Sequence, residues 1–116
     1  MDERAYQHLA DATLRRIEDA LKDVDPDQVD LERAGDVITL TFATGKKCVV
    51  NTQRPTRQIW LAANARAWHF DWDEPGARWV DDKKQTNDDG SRVELLGSIR
   101  RIVRETAGID VDTLAP

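Results

Sequence analysis

Residues 35–72 read GDVITLTFATGKKCVVNTQRPTRQIWLAANARAWHFDW, and the period of this stretch decides the fold. Ile38, Leu40 and Phe42 alternate with Val37, Thr39 and Thr41, the two-residue repeat of a strand with one buried face. Thr44 and Gly45 make a turn, and a strand over 46–51 sends Cys48 and Val50 to the same buried side. Residues 58–62 alternate again, with Ile59 and Leu61 on one face and Gln58 and Trp60 on the other, and 66–71 reads as a further strand. Connections this short join neighbours as antiparallel hairpins, because a parallel crossover needs a dozen residues or more.

Upstream, Val29 and Leu31 alternate with Asp30 and Glu32, which adds a strand joined to the next through Gly35 and Asp36. Downstream, Trp79 and Val80 suggest a last short strand. At the ends of the chain the period changes. Tyr6, Leu9, Ala10, Thr13, Leu14, Ile17, Ala20, Leu21 and Val24 recur at spacings of three and four, one side of a helix over 3–24. It should stop near Val24, because Asp25 precedes Pro26 and a residue before proline is pushed out of the helical region, which leaves 25–28 as a turn. Residues 81–91, DDKKQTNDDGS, contain nothing apolar and predict a solvated, mobile loop. Gly90 or Ser91 then opens a final helix with the stripe Val93, Leu95, Leu96, Ile99, Ile102 and Val103, Arg100, Arg101 and Arg104 near its negative end, and Gly108 as its stop. The tail can pack back through Ile109, Val111 and Leu114. The chain thus reads as one α+β domain over 1–116, two terminal helices on one face of a five- to six-stranded antiparallel sheet whose other face stays open.

Composition limits function. No apolar run approaches the roughly 18 residues of a membrane span, and residues 1–10 carry acids in a helical pattern instead of a secretory signal, so a cytoplasmic address is expected. Cys48 is the only cysteine, which excludes an intramolecular disulfide, a zinc ribbon or a set of thiolates for a cluster. Residues 1–36 hold 11 acids against 5 bases, a balance of −6, while the rest holds 11 against 12. All the negative excess lies in the first third, so nucleic acid is not an expected partner; cations and basic protein surfaces are.

Within that third, Glu18, Asp19, Asp23, Asp25, Asp27, Asp30, Glu32 and Asp36 face only Lys22 and Arg33. On a helix running to Val24, Asp19 and Asp23 would face each other, costing about 0.2–0.5 kcal/mol, and would lie at the negative end of the macrodipole. Asp30 and Glu32, on the outward face of the first strand, extend the same surface. Asp11, one turn after His8, lies upstream on the same helix. The candidate cation ligands are therefore Asp11, Glu18, Asp19, Asp23, Asp25, Asp27, Asp30 and Glu32. Oxygen donors without convergent His or Cys suit Fe²⁺, Fe³⁺, Mn²⁺, Ca²⁺ or Mg²⁺, bound weakly, in several places and in a salt-dependent way. The competing reading is a solvated helix face with ordinary pairs Asp11–Arg15, Arg15–Asp19 and Glu18–Lys22.

Strand parity turns Asn51, Gln58, Trp60 and His69 toward the open face, where an exposed Trp60 among amides would serve as an interface anchor. The alternative is that Trp60 packs under the 63–65 loop. Trp68, Phe70, Trp72 and Trp79 read as core or rim, and Cys48 as a small buried hydrophobe. The chain shows no phosphate-binding Gly loop and no nucleophile–base order, so an enzyme is not expected.

Three stretches resemble the frataxin family, in its bacterial CyaY-type branch: LADATLRRIEDALKDVD at 9–25, the quoted 35–72, and WVDD at 79–82. The most specific part is NTQRPTRQIWLA at 51–62. The resemblance implies an α-β-α sandwich, ferrous and ferric iron bound along an acidic ridge on the first helix and strand, and docking onto the cysteine desulfurase and scaffold of iron–sulfur cluster assembly, with bacterial members slowing the desulfurase as well as bringing iron. It further implies that Asn51, Gln53, Gln58 and Trp60, with His69 beside them, meet the scaffold, and that Glu18, Asp19 and Asp23 meet a partner as well as metal. Some members are credited with weak ferroxidase activity. The chain departs from the family at Lys22, inside the acidic run, and in the longer segment 81–91. Two other expectations compete: a monomer that assembles into an iron-storing oligomer on loading, and a module that regulates the desulfurase through charge alone.

Overall fold

The computed structural model describes residues 1–115; Pro116, the last residue of the tail, lies outside them. Its elements run α1 (Glu3–Leu21), β1 (Val29–Ala34), β2 (Val37–Phe42), β3 (Lys47–Gln53), β4 (Gln58–Ala63), β5 (Arg66–Asp73), β6 (Arg78–Asp81) and α2 (Leu95–Ala107). The strands form one antiparallel meander in chain order, β1 to β6. Ile38, Leu40, Phe42, Cys48, Val50, Ile59, Leu61, Trp68 and Phe70 are buried in a single cluster with Tyr6, Ala10, Leu14, Ile17 and Leu21 of α1 and Leu95, Ile99, Ile102 and Val103 of α2. Two helices therefore pack on the sheet face that the alternation selects. Fully burying a residue such as Leu14 or Ile59 contributes roughly 1.5–3 kcal/mol, so these positions dominate stability. Among the described residues, no helix is long and apolar enough to cross a membrane.

The helix ends depart from the sequence reading. Helix α1 stops at Leu21, one turn before Val24, with Lys22 as its cap. Val24 N–H bonds the Leu21 carbonyl and the Asp25 carboxylate accepts from Asp27 N–H, so a turn replaces the last helical turn ahead of Pro26. Asp23 thereby leaves the helix, and the like-charge helical pair with Asp19 does not form. Helix α2 starts at Leu95, not near Gly90 or Ser91, because the Glu94 carboxylate caps it by accepting from Leu96 and Gly97 N–H. Gly97 makes room for this cap: a Cβ there would lie 2.3 Å from Glu94 Oε1. At the far end Gly108, at φ 71°, donates to the Arg104 carbonyl and ends the helix as expected.

Five strands run past their alternation, β1 reaching Ala34, β3 Gln53, β4 Ala63, β5 Asp73, and β6 spanning four residues. The polar segment 81–91 is structured at both ends. Asp81 belongs to β6, is 2% exposed and accepts a hydrogen bond from Gln85 N–H, while Thr86 bridges to Arg92. Backbone pairing, which composition does not register, orders this loop. Val111 and Leu114 of the tail are buried, and Arg16 of α1 donates to the Ala115 carbonyl, tying the tail down.

Candidate cation ridge and docking face

The ridge is assembled where α1 runs beside edge strand β1. Glu18, Asp19, Lys22 and Asp30 line one shallow hollow of about 400 Å³, so helix and strand acids do share a surface. Asp25 and Asp27 lie in the turn between them, Glu32 is exposed on β1, and Asp23 follows the helix cap. Among the described residues, Asp19, Asp23, Asp25, Asp27, Asp30 and Glu32 make no ion pair, and no group of three or more Asp, Glu, His or Cys side chains is close enough to hold a metal ion. What this surface offers a cation is a field and single carboxylates, without a prebuilt chelate.

Asp11 and Glu18 are different. Arg33 reaches from β1 to α1 and donates to Glu18 Oε1 and Asp11 Oδ1, each at 2.6 Å, and its guanidinium holds the Asp11 carboxyl below the usual range. Asp11 also pairs with Arg15 at 3.1 Å, as its spacing predicts, but Arg15–Asp19 and Glu18–Lys22 are not among the ion pairs; Glu18 is taken by Arg33 instead. The sequence reading missed Arg33 as a counter-ion, although it is the only cation between residues 23 and 45.

On the open face, β-sheet register sets two rows across three strands. Asn51, Trp60 and His69 lie side by side, and so do Gln53, Gln58 and Asp71. Trp60 is half-buried, where the sequence reading had it exposed, because its indole stacks on His69 with centroids 4.1 Å apart and planes 11° from parallel. Its Nε1–H donates to Gln58 Oε1 at 2.9 Å. Gln58 Nε2 in turn donates to Asp71 Oδ1 at 3.0 Å and Asp82 Oδ2 at 3.1 Å. His69 Nδ1 lies 3.8 Å from the same Asp82 oxygen. Trp60 is thus oriented on both its face and its edge. Asp71 and Asp82 were not anticipated, since only the register brings them to Gln58.

Tyr6 links helix to face. Its hydroxyl donates to the Gln58 carbonyl at 2.6 Å and accepts from Gln53 N–H at 3.0 Å, closing the end of β3 and the start of β4. Burial pushes this hydroxyl up from its ordinary value, so it stays a donor. Cys48 is buried and its thiol is pushed up to about 12 by burial, so it supplies no thiolate near neutrality. Trp68, Phe70 and Trp79 are core, and Trp72 packs at its rim, as the parity reading expected. His8 is exposed and close enough to Asp11 to favour its charged form.

A family model described as a frataxin-like domain matches residues 1–92. The chain is 38% identical over 112 residues to the iron–sulfur cluster assembly protein CyaY of Pseudomonas aeruginosa, covering 97% of this chain and 96% of that protein. It is 39% identical over 113 residues to the protein of the same name from Pseudomonas syringae pv. tomato, covering 97% and 94%. Among solved structures, frataxin from Psychromonas ingrahamii superposes with a TM-score of 0.79 at 26% identity, over 97% of this chain and 98% of that one. Trimeric frataxin from the yeast Saccharomyces cerevisiae, complexed with ferrous iron, superposes with a TM-score of 0.70 at 25% identity over 87% of each chain. With its two helices on a six-stranded meander and this match along nearly its whole length, the chain belongs to the frataxin family.

Proposed function

We propose that this protein serves iron–sulfur cluster assembly as a non-enzymatic adaptor: it carries ferrous or ferric iron loosely on the ridge, docks onto the cysteine desulfurase and its scaffold, and restrains the desulfurase while delivering iron. The support comes from its CyaY relatives, from ridge acids Asp19, Asp23, Asp25, Asp27, Asp30 and Glu32 that make no ion pair among the described residues, and from a separate face on which Trp60 is held ready. The observation that carries the reading is this division into two surfaces. Asp19, Asp23, Asp30 and Glu32 supply a negative field that attracts iron and a basic partner, other divalent cations substituting for iron, while Asn51, Gln53, Gln58 and Trp60 supply directional contacts for the scaffold, with His69 behind the indole. The proposal sets this work in the cytoplasm, with a monomer as the working form. Chemistry stays with the partners, since the ridge supplies neither a nucleophile nor a buried acid–base pair.

The test is an NMR titration of labelled protein with Fe²⁺ under anaerobic conditions, followed by titration with a bacterial cysteine desulfurase. Broadening and shifts over residues 18–36 with both ligands are expected. A protein in which neither perturbs that segment has a merely solvated ridge, and the proposal fails.

A further inference from the structure

Arg33 spends its guanidinium entirely inside the protein's own acidic surface. Nε donates to the Gly35 carbonyl at 3.0 Å, and the two terminal nitrogens donate to Glu18 and Asp11 at 2.6 Å each. The side chain is only 20% exposed, against 50% for Asp11 and 36% for Glu18. An incoming cation would therefore meet the guanidinium at contact distance beside both carboxylates. Displacing Arg33 would break two short charge-assisted hydrogen bonds and leave a largely covered cation without a charged partner. Asp19, Asp23, Asp30 and Glu32 carry no such counter-ion among the described ion pairs.

We propose that Arg33 is a built-in counter-ion that withholds Asp11 and the bound oxygen of Glu18 from cations, confining loading to Asp19, Asp23, Asp30 and Glu32 and so setting how tightly the ridge holds a divalent ion. This rests on the reading that the ridge binds cations, and it deepens that reading by naming the residue that limits it. The ridge is split: its upstream half is already neutralised from within, and its downstream half is open. An arginine in this place has the further effect that the loaded ion lies near the β1 edge and the turn after α1, and not along the length of the helix.

The experiment uses Mn²⁺ as a paramagnetic NMR probe, at low salt, on the full chain and on Arg33→Met, which keeps the apolar stem. Wild type should broaden at 19–32 and spare Asp11. Arg33→Met should extend the broadening to Asp11 and bind Mn²⁺ roughly threefold more tightly, the scale of one charge contact; Arg33→Lys, which keeps the charge but cannot bridge both carboxylates, should fall between the two. A second pair of variants does not depend on how Arg33→Met folds: Asp19→Asn should weaken Mn²⁺ binding clearly more than Asp11→Asn does. Equal losses from those two, or an Arg33→Met protein with wild-type affinity and the wild-type set of broadened residues, would overturn the Arg33 assignment while leaving the ridge reading in place. Wild type with no broadened ridge residue would overturn both.

Discussion

On the ridge, Asp19, Asp23, Asp30 and Glu32 present charge with no ion pair among the described residues to hold it, whereas on the open face Trp60, Gln58, Asp71, Asp82 and His69 are joined by hydrogen bonds of 2.9–3.1 Å and a stacked pair. The ridge is an arrangement of like charges at an edge strand and a helix end; moving one carboxylate by an ångström changes its field little. The open face depends on register, and a slip of one residue in β4 would send Trp60 into the core and Leu61 out. The difference separates two ways of recognising a partner. A field acts at a distance, adds up residue by residue and fades with salt, while a hydrogen-bonded platform acts at contact and fails when one member goes.

That contrast is sharpest at Trp60. Trp60→Ala should cost about 2–4 kcal/mol of scaffold affinity, on the scale of a central aromatic anchor, and the loss should be the same at low and high salt. Isothermal titration at two ionic strengths checks it; a loss that shrinks as salt rises would mean that the open face, too, works mainly through charge.

Next in size is Tyr6→Phe. It keeps the buried ring but removes the acceptor of Gln53 N–H and the donor to the Gln58 carbonyl. A cost of about 1–2 kcal/mol in urea unfolding is expected, the usual penalty for leaving buried backbone groups without partners. The Trp60 indole N–H resonance should shift as well, because Gln58 positions it, while Mn²⁺ broadening on the ridge should be unaffected. A changed ridge would show that the two surfaces are coupled through α1 and are not independent.

Smaller still are single ridge neutralisations. Asp19→Asn and Asp30→Asn should each weaken desulfurase binding only about two- to threefold at low salt, add when combined, and vanish at high salt. Strong non-additivity would point to a chelate that the separate carboxylates do not form in the free protein.

How much of this was legible in the sequence follows from what each feature depends on. The sheet and its covered face could be read because alternation is local: Ile59 and Leu61 against Gln58 and Trp60 needs only parity. The acidic surface could be read because charge is composition. The ends of the helices could not. Helix α1 ends at Leu21 because the chain turns ahead of Pro26, and Glu94 caps α2 with a side chain long enough to reach two N–H groups, a residue type seldom favoured at that position. The contacts that organise both surfaces were hidden for a different reason. Arg33 meets Asp11 across 22 residues and Gln58 meets Asp82 across 24, and pairs so far apart in the chain appear only once strand register and helix placement are fixed. The family resemblance led to Trp60 and its amide neighbours, but the stacking of His69 that half-buries the indole came from the β4–β5 pairing.

The smallest effect tests whether the upstream half of the ridge is structural. Arg33 holds the Asp11 carboxyl below its ordinary value, so the folded protein binds that proton less readily than the unfolded chain does. The stabilisation is therefore complete above the ordinary aspartate range, near 4, and is lost as pH falls through the depressed folded value. Asp11→Asn removes the titrating group but leaves Arg33 its bond to Glu18. The stability gap between wild type and Asp11→Asn, followed by chemical unfolding from neutral pH downward, should hold steady to about pH 5 and then close. The same comparison made in an Arg33→Met background, where the counter-ion is gone, should show no such closure. If the gap closes alike in both backgrounds, Arg33 is not what holds the Asp11 carboxylate, and the split that Arg33 imposes has no energetic content. A gap that closes only when Arg33 is present makes Asp11 part of the fold and leaves the downstream carboxylates as the surface available to a ligand.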